Sequence, residues 1–228
     1  MTSLNELRAF IVGWTGACGE ALSKELAKNN HFKQVILIGR REVKLGEDDP
    51  RSKFQQAVVD YDNLEQSRDV FKDCAVGFMT LGTTRGQAGA DGFVKVDYEY
   101  TMNAAKIAKE CGCKQLNYVS SQGAHKDSMF LYPQTKGKVE HELTQLGFDQ
   151  LFIHRPALLL RGEKSRGVEK LGHILMKPVT AFKPTWNQIR VEDVARSLMA
   201  KSAEFGKGNK TEILSNALMH EAAKSLEA

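Results

Sequence analysis

Tyr132 and Lys136 are the pair in this sequence best suited to acid–base chemistry. Residues four apart share one face of a helix, so the lysine ammonium can lie beside the phenol and favour its ionised form. A phenol held in this way can give a proton to a reacting oxygen or accept one. Pairs with this spacing are common by chance, so the position of this pair in the chain decides its weight.

Ser120 and Ser121 precede that pair, at the end of a predicted strand. A hydroxyl there can hold the oxygen of a carbonyl substrate as an oxyanion-type donor. Because successive side chains of a strand point to opposite faces, only one of the two serines can face the site. We favour Ser121, and Ser120 remains the alternative.

A glycine turn containing Gly13, Gly16 and Gly19 lies between the apolar run 9–12 and a segment with helical spacing. A strand that enters such a turn and leaves as a helix directs backbone N–H groups and the positive end of the helix dipole at one point, where a pyrophosphate can bind. The spacing is also compatible with an ordinary strand-to-helix turn. A P-loop is disfavoured, because Gly19 is followed by Glu-Ala and not by Lys-Ser or Lys-Thr.

Two arginines, Arg40 and Arg41, follow the apolar run 34–39, which is typical of a buried parallel strand. In a dinucleotide fold an acidic residue near this point bonds the ribose 2′-hydroxyl, whereas a basic residue accommodates a 2′-phosphate. The sequence therefore favours NADPH over NADH, with a solvated basic turn as the alternative. Asp60 ends the next predicted strand in a position suited to flank the adenine, although acidic residues are common in turns.

Apolar runs alternate with segments of helical spacing along the chain. They predict strands at 9–12, 34–39, 54–59, 74–81, 115–119, 150–155 and 211–215, and helices at 20–29, 63–71, 93–109, from 132 onward, 191–200 and 217–226. This alternation predicts an α/β protein with a doubly wound parallel sheet, a Rossmann fold, in one domain spanning residues 1–228. The pattern fades at 161–190, which we interpret as a small irregular cap on the substrate side.

The composition is that of an ordinary globular protein, with 42% hydrophobic and 26% charged residues and a formal charge of +4. Because the basic residues are dispersed, direct binding of nucleic acid is not expected. The cysteines and histidines lack metal-ligand spacing, so no metal is expected. No segment resembles a secretory leader or a membrane span of roughly 18 apolar residues, so we expect a cytoplasmic protein without a transmembrane segment.

Five signals occur in one order: the glycine turn, the arginine pair, Leu81-Gly-Thr-Thr, the serine pair and the tyrosine–lysine pair. This order resembles the short-chain dehydrogenase/reductase superfamily, in its atypical or extended branch. More narrowly, residues 37–41, the long glycine-rich stretch 81–93 and residues 130–137 look like the HIV Tat-interacting-protein-like oxidoreductases. The resemblance covers roughly residues 8 to 200.

The resemblance implies an NADPH-binding fold with a reductase-like site. By position it implies Thr15, Gly16, Ala17 and Cys18 at the pyrophosphate, Arg40 and Arg41 at the 2′-phosphate, Leu81 and Gly82 at the adenosine, Tyr132 and Lys136 at the nicotinamide ribose and reaction centre, and Leu159 and Arg166 at the far end of the cofactor. Thr83 belongs to the loop after the fourth predicted strand, which we expect to face the cofactor. Extended relatives place an asparagine where this chain has Asp97, a departure that affects the proton relay attributed to that asparagine.

These observations lead to the hypothesis of an NADPH-dependent carbonyl reductase that acts on a small molecule, with Tyr132 as proton donor. The alternative is a regulatory protein that senses NADPH and binds another protein. The resemblance supports this alternative too, because animal relatives are associated with nuclear import and growth control. A nuclear import receptor is then the kind of partner expected.

Overall fold

The computed structural model describes residues 4–83, 85–161 and 187–226. Within them nine strands form two parallel sheets: β1 (Arg8–Val12), β2 (Gln34–Gly39), β3 (Gln55–Val58), β4 (Cys74–Met79), β5 (Gln115–Val119), β6 (Gln150–His154), β7 (Leu158–Leu160), β8 (Gln188–Arg190) and β9 (Lys210–Leu214). The main sheet has the order β3-β2-β1-β4-β5-β6-β9, and β7 pairs with β8 in a second, two-stranded sheet. The predicted α/β fold with a doubly wound parallel sheet is confirmed.

The helices cover both faces of the main sheet. They are α1 (Ala17–Asn29), α2 (Arg85–Val94), α3 (Thr101–Glu110), α4 (Leu131–Gln145), α5 (Val191–Ser202) and α6 (Asn216–Lys224), with a π-helical turn, Lys95–Tyr100, between α2 and α3. Short 3₁₀ segments lie at Leu4–Glu6, Pro50–Lys53 and Tyr61–Phe71. Among the described residues, no helix has the length and apolar character needed to cross a bilayer.

The apolar strands of the main sheet separate two hydrophobic cores. On one face α1 and α5 pack against the sheet around Leu22, Phe78 and Leu198, and on the other α3 and α4 pack around Phe10 and Leu143. These five side chains are fully buried, and each contributes roughly 1.5–3 kcal/mol through the loss of water contact. The cores hold the ends of β1 and β4 in register, where Val12 lies opposite Met79.

The chain leaves β1 toward β2 and leaves β4 toward β5, so the connections diverge between these two strands. In open sheets of this kind a crevice forms at such a switch point, beyond the carboxyl ends of the strands. The glycine turn follows β1, and the loop with Leu81, Gly82 and Thr83 follows β4. Both therefore border the crevice.

Two local predictions differ from the structure. The helix predicted at 63–71 is an irregular 3₁₀ segment, because the Asp60 carboxylate tightens its first turn and the backbone leaves helical geometry at Asn63 and Ser67. Within the cap predicted at 161–190, residues 162–186 lie outside the described part of the chain. The described strand β8 pairs with β7 there, which the fading sequence pattern did not indicate.

Candidate functional site

The glycine turn brings the start of α1 against the end of β4. Gly13 has a φ of +84°, and a Cβ added to it would lie 2.7 Å from the backbone N of Leu81. A Cβ on Gly19 would lie 2.5 Å from the carbonyl oxygen of Gly13 and 2.6 Å from Oγ1 of Thr80. Both positions therefore require glycine for the helix and the two strand ends to meet.

The first turn of α1 is open to an anion. Gly16 is its N-cap residue and has an extended backbone, and no side chain caps the helix. The N–H groups of a first helical turn have no partner within the helix, and the helix dipole adds positive potential there. A cavity of about 460 Å³ opens at this end, lined in part by Thr15, Gly16, Ala17, Arg161 and Val191. The arrangement fits the pyrophosphate of a dinucleotide.

Cys18 belongs to this turn but is buried, and burial raises the pKa of its thiol to about 11. Lys136 and Arg161 both lie close enough to oppose that rise electrostatically. The thiol therefore stays protonated, and the contribution of Cys18 to an anion would come from its backbone N–H. Lys136 of α4 and Arg161, which follows β7, therefore lie near the glycine turn.

Arg40 and Arg41 are exposed at the end of β2. Within the described residues neither guanidinium has a hydrogen bond or an ion pair, although Arg40 acts electrostatically on the buried phenol of Tyr61. Two cations held at this place without an acidic partner suit a phosphate on the adenosine ribose.

Asp60 lies just beyond β3 and is exposed. Its carboxylate accepts hydrogen bonds from the backbone N of Asp62 at 2.9 Å and from Nδ2 of Asn63 at 2.7 Å. The structure thus gives Asp60 a local capping role, and its contact with adenine stays a prediction.

Asp97 joins the loop after β4 to α4. One carboxylate oxygen accepts the backbone N–H of Thr83 at 2.8 Å, and the other lies 2.8 Å from Nζ of Lys136. Asp97 is 1% exposed and Lys136 3% exposed, so the ion pair is withdrawn from water. Gly82 adjoins it, since a Cβ added there would lie 3.7 Å from the Asp97 carboxylate.

The Lys136 ammonium also lies over the ring of Tyr118, 5.3 Å from its centroid. Burial opposes the charged form of Lys136, but the neighbouring Tyr118 and the Asp97 carboxylate outweigh it and hold the pKa of Lys136 above its ordinary value. Burial likewise raises the pKa of Tyr118 to about 12. Lys136 is therefore a stable cation at neutral pH.

Tyr132 lies in the first turn of α4 and is 45% exposed. Its ring stacks on Phe93, with the centroids 5.5 Å apart, and Tyr132 acts electrostatically on Lys136. Tyr132 is therefore accessible from solvent.

The two serines at the end of β5 differ in their partners. Ser120 is buried and donates to Oε1 of Glu140 at 2.5 Å, and Arg155 donates to the same oxygen at 3.0 Å. Ser121 is half-buried, and its hydroxyl donates to the carbonyl oxygen of Gln122 at 3.2 Å. Ser121 also lines a cavity of about 430 Å³ together with Gln122, Gly123, Pro156, Ala157, Leu158 and Asn187. Ser121 is therefore the more exposed of the two serines, and its contact with a ligand stays a prediction.

Leu159 and Arg166 are the remaining predicted residues. Leu159 is in β7 opposite Ile189 and packs on the core beneath α1 and α5. Arg166 lies outside the described residues. Within the described part of the chain, no group of three or more histidine, cysteine or acidic side chains could hold a metal ion.

Sequence reasoning missed two residues that shape this site. Glu140 is four residues after Lys136, and that helical spacing was the available signal for a second buried polar group on the same face. Arg161 lines the cavity at the start of α1, but its contact arises from chain segments far apart in sequence.

A parallel sheet of this strand order, with a glycine turn at the switch point and an uncapped helix behind it, defines the class of dinucleotide-binding Rossmann proteins. Comparison with known families agrees, because residues 13–203 match the family described as NAD(P)H-binding. The chain belongs to this NAD(P)H-binding family.

Named relatives extend over most of the chain. Protein HTATIP2 of Rattus norvegicus is 38% identical, over 92% of this chain and 87% of the relative. "Protein FMP52, mitochondrial" of Debaryomyces hansenii is 36% identical, over 97% of this chain and 100% of the relative. These relatives confirm the resemblance to the Tat-interacting-protein-like group.

Solved structures share the fold at low sequence identity. MoeE5 in complex with UDP-glucose and NAD superposes with a TM-score of 0.69 at 15% identity, over 91% of this chain and 76% of that one. A UDP-galactose 4-epimerase gives the same TM-score and identity over the same shares of the two chains. This chain therefore shares the fold of these two proteins.

The relatives overturn the expected cytoplasmic location. FMP52 of Debaryomyces hansenii, Candida albicans and Saccharomyces cerevisiae is named mitochondrial, so the prediction of a cytoplasmic protein is wrong. It rested on the lack of a secretory pattern and of an apolar span, and neither feature separates the cytoplasm from other compartments.

Proposed function

We propose that this protein is an NADPH-dependent reductase of small-molecule carbonyl compounds. One observation carries the proposal: Lys136, four residues after the accessible Tyr132, is joined through buried Asp97 to the loop after β4. This contact supports a tyrosine–lysine pair beside the crevice in which the family binds its nucleotide. Acid–base residues and a dinucleotide site then adjoin one another.

The proposed reaction converts a carbonyl and a proton to an alcohol. A bound nicotinamide cofactor would supply the hydride that the carbonyl carbon needs. Tyr132 gives its phenolic proton to the carbonyl oxygen, and the proton is replaced from solvent because the phenol is accessible. Ser121 donates a hydrogen bond to that oxygen as negative charge develops on it.

Lys136 serves this chemistry as a permanent cation. Its ammonium would bind the hydroxyls of the nicotinamide ribose beside Tyr132. The Asp97 carboxylate 2.8 Å away keeps the lysine charged and oriented. The ion pair thus takes the position of the asparagine-based relay of extended relatives.

The preference for NADPH over NADH is supported by the two arginines at the end of β2. They are exposed, without acidic partners among the described residues, at the point where this fold reads the adenosine ribose. Replacing both by alanine is expected to weaken NADPH far more than NADH.

A panel of aldehydes and ketones, followed by the oxidation of NADPH, tests the proposed activity. The Tyr132→Phe variant should lower kcat/KM by about 100-fold or more while the Kd for NADPH changes by less than about twofold. Tyr98→Phe is the matched control, because the Tyr98 hydroxyl bonds Glu142 and lies outside the proposed site. Unchanged turnover in Tyr132→Phe would show that Tyr132 is not the proton donor.

A cofactor-sensing scaffold would behave differently in the same assay. It would bind NADPH and consume none with any carbonyl, and a protein partner such as a nuclear import receptor would then be the object of a pull-down with and without NADPH. We also infer a mitochondrial location from the names of the yeast relatives, to be checked by fractionation and protease protection.

A further inference from the structure

Trp14 lies inside the glycine turn, yet its side chain reaches the end of β2. The indole is 2% exposed and is one of the largest fully buried side chains in the described part of the chain. A Cβ added to Gly39 would lie 3.1 Å from Nε1 of Trp14. The ring therefore fills the space beneath the backbone that leads directly into Arg40 and Arg41.

Arg51 also contacts the Trp14 ring. Its guanidinium carbon lies 5.9 Å from the centroid of the indole, and the residue is 8% exposed. Asp49 holds it with two parallel bonds, from Nε to Oδ1 at 2.9 Å and from Nη2 to Oδ2 at 2.6 Å. The bond to Arg51 lowers the pKa of the Asp49 carboxyl to about 2, so the pair stays charged over the whole neutral range.

The connection between β2 and β3 is thus fastened at several points, whereas the side chains of its first two residues have no hydrogen bond or ion pair among the described residues. The side-chain amide of Gln56 bonds both backbone groups of Val43, at 2.9 and 2.8 Å. Lys53 bonds Asn30 at the end of α1 at 2.6 Å. Within the described part of the chain, Arg40 and Arg41 have no such anchor of their own, and their position depends on the backbone that Trp14 and Arg51 support.

We propose that Trp14 and Arg51 are positioning residues that set the selectivity for a 2′-phosphorylated adenosine. The inference rests on the proposed use of NADPH and deepens it. Binding two guanidinium groups to one phosphate costs less free energy when the turn that carries them is fixed beforehand. Without the indole or the cation above it, the turn has room to shift, and the phosphate contacts weaken while the rest of the nucleotide site is unchanged.

Calorimetric titration with adenosine 2′,5′-bisphosphate and with 5′-AMP tests this without any reaction. Trp14→Leu should raise the Kd for the bisphosphate about tenfold or more and the Kd for AMP by less than about twofold. Trp14→Phe keeps an aromatic ring, so its Kd for the bisphosphate should lie between those of the wild type and Trp14→Leu.

Arg51→Met is the second variant, because methionine has a side chain of similar length without the charge. It should also raise the Kd for the bisphosphate much more than the Kd for AMP. This variant decides the outcome if Trp14→Leu does not fold. Arg68→Met is the matched control, because Arg68 pairs with Glu65 and Glu110 on the surface and should leave both constants unchanged.

Equal weakening of both ligands, or no change in either, would overturn the inference. The variant with alanine at positions 40 and 41 separates this failure from failure of the proposed function. If the wild type and this variant bind both probes alike, the NADPH preference itself is wrong. If only this variant loses the discrimination while the Trp14 and Arg51 variants keep it, the arginines act without the support proposed here.

Discussion

At the scale of single residues, Asp97 has the largest consequence for the site. An asparagine at this position could share hydrogen bonds with a lysine, but only a carboxylate also balances the positive charge of the buried ammonium, which lies 2.8 Å away. The sequence showed that Asp97 departs from extended relatives. It could not show the partner, because Lys136 is brought to Asp97 only by the packing of α4 against the π-helical turn.

The Asp97→Asn variant should be strongly destabilised, because it leaves Lys136 buried without a countercharge. The expected loss is about 3–5 kcal/mol in the free energy of unfolding, measured with urea. The raised pKa of Lys136 means that the contribution of its charge is complete at neutral pH and is lost as the pH rises through the alkaline range.

The exposed ion pair between Asp62 and Lys95, 2.6 Å apart, supplies the control for that experiment. Asp62→Asn should change stability little, because water screens an exposed pair. Similar stability of the two variants would contradict a structural role for the buried ion pair.

The serines give a second prediction at the residue scale. Ser121→Ala should lower kcat about 10- to 100-fold with unchanged stability, because among the described residues its hydroxyl bonds only a neighbouring carbonyl. Ser120→Ala should instead cost about 1 kcal/mol of stability and leave kcat nearly unchanged, because its hydroxyl serves Glu140. Steady-state kinetics and urea unfolding of both variants check these effects. If Ser120→Ala lowers kcat and Ser121→Ala lowers stability, Ser120 is the serine that acts on the substrate.

At the scale of helices and strands, the sequence predicted what local periodicity determines. Strands β2 and β4 are nearly continuous apolar runs, and β2 and β5 match their predicted bounds. The π-helical turn and the pairing of β7 with β8 were not predicted, because neither has a distinctive period. The glycine turn was found from its spacing, whereas the contacts of Trp14 with Gly39 and Arg51 depend on long-range packing.

The end of β6 gives a pH-dependent prediction at this scale. His154 is fully buried against α5, and burial, aided by Lys201, lowers its pKa to about 3. Because the unfolded chain binds this proton more readily, stability should fall as the pH drops below about 6.5, by about 2 kcal/mol at pH 5. His154→Gln should remove that part of the decline in urea unfolding, and the exposed His125→Gln should not. An unchanged slope in His154→Gln would contradict the prediction.

At the scale of the whole molecule, the seven-stranded sheet and its family account for a dinucleotide site but leave the reaction to particular side chains. Composition and charge excluded few classes of function. The expected cytoplasmic location was wrong because the packing of a domain does not encode its location in the cell. The central claim is that a hydride passes from NADPH to a carbonyl while Tyr132 supplies the proton.

Deuterium transfer from NADPH labelled at the reactive carbon of the nicotinamide tests this claim most directly. With a carbonyl from the panel, mass spectrometry of the alcohol should find one deuterium on the former carbonyl carbon for the wild-type protein and no labelled product for Tyr132→Phe. If the wild type binds NADPH but labels no carbonyl, or if Tyr132→Phe labels the product equally well, the account is contradicted.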